Sequence, residues 1–583
     1  MKQFQKIGVA AAVATVAAGT VAQDPAAVSR SETGDLAIVP YYTVMDGMNT
    51  GIHVINTTDA TQVVKVRLRR GTDSKDAMDF NLVMSPYDEW TANIGAGGDY
   101  GVLVTTNDTT CTVPRIPAGG ASMPQTFSEG ATEGYIEIIG MAQADELQPI
   151  SIAAKHAVKG DTAGIPADCS AVEENFYRVA KADIGDLTVK GTHTSSLTSN
   201  GLCSKQTTTG ACKAGVDAAN ISRFTKTDRN AFKVSFMLTD PSGGLEAGDN
   251  AVMIEGFSSA AMMTNQQPLS FGTDGLLNYD PINFELPNLA YGAYVSSESD
   301  RAVDASLTDG TMWKEFAAAI DADGIANDWA SFDTADASVD ADWVVTLPGQ
   351  YVMTNPICDI YKDYKQANAT AAAACAASTT ATDAAAAYSA AGGADRNQLP
   401  LLVASNVDGK PLITGSNMNL WDREELAIAG DETTKPPEES ELGFSPNGST
   451  GDPADPKIKV ELKNEVNVIA FGDPEETSAV MSNLKLTVTP DGADRGWGRL
   501  DIESSNSAPE LWKLSGIEDD GNIQPAAGGS VGSFSTDNAD PTNIGVVGFA
   551  IWQRSFAEQA GNYGRMVEHS TILSSGSRET TQR

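Results

Sequence analysis

Hydrophobic and polar positions alternate with a period of two through much of this chain. Val64, Val66 and Leu68 interleave with Lys65, Arg67 and Arg69; Phe232, Val234, Phe236 and Leu238 with Lys233, Ser235 and Met237; Ile458, Val460 and Leu462 with Lys459, Glu461 and Lys463. Side chains of an extended backbone point to alternate faces, so each stretch predicts a strand with one face buried and one in water. Further strand-like runs are 51–56, 135–140, 251–257, 343–347, 466–471, 484–489 and 546–552. Turn formers separate them: Asn56-Thr57-Thr58-Asp59, Asp240-Pro241-Ser242-Gly243-Gly244 and Pro490-Asp491-Gly492. Strands joined by such turns pair antiparallel. The expected class is mainly β, a multidomain antiparallel β-sandwich (Ig-like) architecture with short helical insertions.

Helical spacing is confined to a few places. Trp313, Phe316 and Ile320 recur every three to four residues after Asp309, a residue suited to capping, which predicts a short amphipathic helix over 311–320. Residues 368–391 are almost all alanine, threonine and serine; without an apolar stripe they cannot drive packing and are read as a surface insertion. Five prolines and many acids over 431–456 mark a linker. The start, Met1-Lys2-Gln3-Phe4-Gln5-Lys6 followed by an uncharged apolar run to Ala18 and by Thr20-Val21-Ala22, has the form of a signal peptide cleaved after Ala22. The expected divisions are therefore 1–22 as signal, 23–300 as N-terminal β-rich domain or domains, 301–395 as an insertion, and 396–583 as a C-terminal β-rich domain.

Charge then narrows the classes of partner. Of 583 residues, 77 are acidic and 39 basic, a formal net charge of −38. A field of that sign repels phosphate backbones and argues against nucleic acid, while drawing divalent cations wherever carboxylates converge. Hydrophobic residues make up 41% and charged residues 20%, a globular composition. No mature segment has the roughly 18 consecutive apolar residues of a membrane-spanning helix. Six cysteines lie beyond the signal, an even number that reads as disulfides in an oxidising compartment. Proximity suggests Cys203 with Cys212, Cys358 with Cys375, and Cys111 with Cys169.

Candidate chemistry is sparse. The four histidines, His53, His156, His193 and His569, show no zinc-protease spacing, and there is no nucleophile elbow or phosphate-cradling glycine loop. No catalytic residue is assigned. Acidic loops are better candidates: Asp321-Ala322-Asp323-Gly324 with Asn327 and Asp328 places several oxygens close in sequence, as calcium requires, and Asp519 and Asp520 are similar in composition. The alternative for each is a solvated acidic turn. Tyr41-Tyr42, Pro86 to Trp90, and Trp552 could stack on sugars, although aromatics bounded by strands more often fill cores.

Several strings together carry a resemblance: PYYTV at Pro40, FNLVMSPYDEWTA at Phe80, DWVVTLP at Asp342, WDREE at Trp421 and NEVNVIAF at Asn464. They resemble segments of a family of large secreted proteobacterial proteins. Within it the chain looks most like the surface-layer (S-layer) proteins of marine gammaproteobacteria. That resemblance implies an extracellular structural protein without enzymatic activity, on the outer face of the outer membrane. Its partners would be copies of itself in a two-dimensional lattice and lipopolysaccharide. Calcium bridges between acidic neighbours are the expected cofactor. A secreted adhesin or carbohydrate-binding protein, and a secreted hydrolase using a carboxylate pair, remain the alternatives.

Overall fold

A computed structural model of the chain describes residues 25–72, 76–122, 130–160, 163–176, 224–241, 245–258, 311–349, 415–424, 458–472, 478–503, 545–556 and 559–572, with a few shorter pieces. The expected signal 1–22, the alanine-rich stretch 368–391, the linker 431–456 beyond its first residue, Cys203, Cys212, Cys358, Cys375, His193, Asp519 and Asp520 lie outside the described residues.

The protein is mainly β. In the N-terminal half a seven-stranded sheet runs Ala27–Val28, Val252–Glu255, Leu36–Thr43, Glu133–Ala144, Thr61–Arg70, Asp76–Met84, Cys111–Val113. A five-stranded sheet runs Leu245–Asn250, Phe232–Asp240, Asn49–Asn56, Glu89–Ala96, Val102–Thr105. Every ladder within these two sheets is antiparallel. The strand Phe232–Asp240 buries every second residue, as its alternation requires.

The strand Thr61–Arg70 departs from the expected half-burial, because all ten of its residues are buried. One face lies in the main core through Val64, Val66 and Leu68. On the other side of the same sheet a smaller cluster, including Val63, Val83 and Met141, packs under two short helices, Pro149–Ala154 and Cys169–Phe176. A disulfide between Cys111 and Cys169 fastens the second of these helices to the sheet's last strand. The basic residues of the alternation are buried as well, Arg67 Nη1 donating to the Pro287 carbonyl at 3.5 Å. Lys65 and Arg67 reach Asp79 at 3.0 and 3.2 Å, and Arg69 reaches Glu137 at 3.4 Å, every side chain being at most 1% exposed. Their carboxylates come from neighbouring strands, Asp79 lying directly across from Arg67.

A larger sheet occupies the C-terminal half. Its central strand, Ala337–Thr346, pairs along its full length with Val547–Phe556. Its other edge is shared between Gly324–Asp333 and Val466–Phe471. Gly324–Asp333 continues outward to Arg495–Glu503 and then to Gly415–Trp421, while Val547–Phe556 pairs with Gln559–Glu568. The pairing of Val466–Phe471 with Lys485–Pro490 is parallel. The expected helix over 311–320 forms as Thr311–Ala319 and buries Met312, Phe316 and Ala317, with Ile320 just past its end.

The halves share a core. Val344, Val466, Val468, Val547, Phe549 and Ile551 belong to the same buried cluster as Leu36, Val64 and Phe232. Phe236 and Phe549 meet across the junction with ring centroids 5.7 Å apart. A buried aromatic contributes roughly 2–3 kcal/mol, so a handful of such contacts suffices to couple the two parts. Polar groups at the junction are matched. Glu133 accepts hydrogen bonds from Tyr41 Oη (2.8 Å), Ser482 Oγ (2.6 Å) and the Asn483 amide (2.9 Å). Thr346 Oγ1 donates to the Pro40 carbonyl, and the Val466 amide to that of Gly71. Three of the strings that carried the resemblance, at Pro40, Asp342 and Asn464, meet at this junction.

Candidate functional site: an arginine and aromatic groove

The residues expected to bind metal do not form one turn. Asp321 and Asp323 lie between the helix Thr311–Ala319 and the strand Gly324–Asp333, and Asn327 and Asp328 belong to that strand. An extended chain advances about 3.3 Å per residue, which carries Asn327 and Asp328 away from Asp323 instead of folding them over it. The Asn327 side-chain amide is taken up by the Val567 carbonyl (3.1 Å) and by His569 Nδ1 (3.0 Å). Among the described residues, no group of three or more His, Cys, Asp or Glu is disposed to hold a metal. Acidic residues do converge elsewhere: burial together with Asp249 and Glu32 pushes Glu568 up, and burial followed by Glu32 pushes Asp249 up. Lys233 answers this charge at 2.8 Å from Glu32. These three acids are far apart in sequence, so no local pattern could have joined them.

Two of the described histidines are tied into the fold. His569 is buried; its Nε2–H donates to the Val344 carbonyl at 3.0 Å while Nδ1 accepts from Asn327. Burial holds it down at about 3, so it is neutral near pH 7. His156, Ser85 and Asp88 come together, yet not as a catalytic triad. Ser85 Oγ (3.1 Å) and Asp88 Oδ2 (3.5 Å) both approach the same ring nitrogen, Nδ1, whereas a triad needs them on opposite nitrogens. Asp88 also accepts the Ser85 amide at 3.0 Å, which makes the group a brace for the turn between two strands. His53 lies 3.3 Å from the exposed Glu89.

The C-terminal sheet presents a different arrangement, a groove of about 630 Å³. Strand register builds it. Trp421 lies across from Trp497, and Trp497 across from Asp328. On the other arm Val339 faces Arg554, which faces Tyr563; one step along, Ala341 faces Trp552, which faces Arg565. Residues directly opposite share a face within each row, and members of each row line the groove. The floor is fixed by indoles. Trp329 Nε1–H donates to the Trp497 carbonyl at 3.2 Å, Trp343 Nε1–H donates to the Asp328 carbonyl at 2.9 Å, and Phe471 packs on both rings. Gly496 permits the close approach on one wall, since a Cβ there would fall on the Trp421 carbonyl oxygen.

Four arginines enter the groove: Arg423, Arg495, Arg554 and Arg565. Arg565 lies over the Trp552 ring at 5.4 Å and Arg495 over Phe332 at 6.0 Å, each within cation–π reach of its ring. Arg495 also stands 3.7 Å from Asp494 at the rim. The groove's own acids are two. Asp422 spends one carboxylate oxygen on the amides of Glu424 and Leu426 (2.8 and 2.9 Å), while Asp328 is exposed. Trp421 and Trp497 stack at 4.2 Å; Trp497 is 43% exposed and Tyr563 59% exposed. Sequence reasoning saw Trp552 but missed the groove. The available signal was arginine and aromatic residues alternating on one face in Arg495-Gly496-Trp497, Trp552-Gln553-Arg554 and Tyr563-Gly564-Arg565.

No protein family, curated protein or solved structure matches the chain.

Proposed function

We propose that this protein is a structural surface-layer subunit: exported, placed on the outer face of the outer membrane, and joined to copies of itself in a two-dimensional lattice. The observation that carries this reading is the single buried cluster that runs from Ala26 to Ile551 and joins both halves of the chain. A tile that bears lateral load must move as one body, and close-packed interiors transmit strain. A closed lattice of identical subunits needs only repeated surface contacts. With a net charge of −38, copies repel unless cations lie between them, and calcium suits carboxylate oxygens. Electron microscopy of whole cells tests the reading. A regular surface array is expected in the wild type, lost on deletion of the gene and released as soluble subunits by a chelator wash. A smooth wild-type surface would overturn the lattice, and an array that survives chelation would overturn the cation bridges.

A further inference from the structure

We infer that the groove on the C-terminal sheet binds an acidic saccharide, a sugar chain bearing carboxylate or phosphate groups. The inference stands apart from the lattice reading, since a subunit that never assembles would still bind.

The first argument is electrostatic contrast. In a chain with nearly twice as many acids as bases, four arginines share one groove with two aspartates. No carboxylate of the described residues lies within ion-pair distance of Arg423, Arg554 or Arg565. Their planar forks match carboxylate and phosphate oxygens and are open to a ligand.

Shape and hydrogen-bond chemistry then select the class of anion. Exposed Trp497 and Tyr563 offer flat rings on which the C–H face of a pyranose can rest, and Trp552 with Arg565 forms a further flat wall. Asp328 and the remaining lone pairs of Asp422 accept hydrogen bonds, and sugar hydroxyls supply the donors. An acidic peptide segment, including one from a second copy of this chain, brings carboxylates for the arginines but neither a row of hydroxyls for those two aspartates nor a pyranose face for the exposed rings. A neutral glycan satisfies the aspartates and leaves the arginines idle. The acidic saccharide satisfies both sets.

Isothermal calorimetry on the full mature protein tests this, with four probes: oligogalacturonate, purified lipopolysaccharide, maltoheptaose and oligo-aspartate. Saturable binding of oligogalacturonate or lipopolysaccharide is expected, weakening as salt rises, with maltoheptaose and oligo-aspartate at least about tenfold weaker. Binding of oligogalacturonate alone identifies free acidic polysaccharide as the source of ligand; binding of lipopolysaccharide alone identifies the membrane. The exposed pair Arg423→Gln and Arg554→Gln should weaken binding by about tenfold or more while leaving the melting temperature unchanged. Tyr563→Ala should weaken it by a smaller factor at unchanged salt dependence. Equal affinity for oligo-aspartate would assign the groove to an acidic peptide, and equal affinity for maltoheptaose would remove the role of the arginines. Binding by neither acidic probe, or binding indifferent to all three substitutions, would overturn the site.

Discussion

Arginine and lysine serve opposite ends in the two halves of this protein. In the N-terminal sheet, Lys65, Arg67 and Arg69 lie at most 1% exposed, within reach of Asp79 and Glu137. In the C-terminal sheet, Arg423, Arg554 and Arg565 stand exposed on a groove wall with no carboxylate of the described residues near enough to pair. Both sets sit on or beside strands. What differs is whether a second layer covers the face. Where the face is buried, each cation needs its anion at hand, because the uncompensated charge is costly. Where the face stays open, water screens the cation and leaves it available to a ligand.

The largest way to break that contrast is Asp79→Asn. It leaves Lys65 and Arg67 buried beside a neutral amide, and a loss of about 3–5 kcal/mol is expected in denaturant unfolding followed by tryptophan fluorescence. An effect near zero would mean that water reaches these side chains and that the sheet face is not sealed.

Buried acids that have no cation partner among the described residues sharpen the comparison through pH. Asp342 is held by Ser478 Oγ at 2.5 Å and the Val480 amide at 3.1 Å, and burial pushes it up to about 6. Asp35 accepts the amides of Phe257 and Ser258, and burial still pushes it up to about 7. A raised carboxyl stays protonated in the folded state after the unfolded chain has ionised. Its contribution is therefore complete below about pH 3.8 and is lost as pH rises through 6 for Asp342 and 7 for Asp35. His569 acts in the opposite sense. Held at about 3 against 6.5 unfolded, it costs stability as pH falls from 6.5 toward 3. Between pH 4 and 6 the Asp342→Asn variant should therefore show a stability slope more positive than the wild type by about 1.4 kcal/mol per pH unit. Parallel slopes would show that Asp342 titrates alike folded and unfolded.

The smallest effect is expected at the groove. Arg423→Gln with Arg554→Gln should change stability by less than about 0.5 kcal/mol, measured in the same unfolding experiment. A larger loss would mean that these arginines hold the sheet together and are not reserved for a ligand.

Much of the fold was legible because strand formation is local. Residues 466–471 form the strand Val466–Phe471, and the spacing of Phe316 and Ile320 marked the helix Thr311–Ala319. The same local reading failed at Thr61–Arg70. Alternation shows that two faces differ, but not that a second layer will cover the polar one. It differed again at Asp321 to Asp328, where closeness in sequence suggested one tight turn and the strand Gly324–Asp333 begins inside that run.

By itself, then, the sequence determined the period of each segment, the preponderance of β structure and the sign of the overall charge, all of which depend on residues within a few positions of one another or on composition alone. Only the tertiary structure decided that Tyr41, Glu133 and Ser482 meet, and that Trp497, Arg554 and Tyr563 line one groove. Those outcomes depend on strand order and register. A shift of one residue in pairing would turn every side chain to the other face, and nothing local to a strand fixes which neighbour it takes.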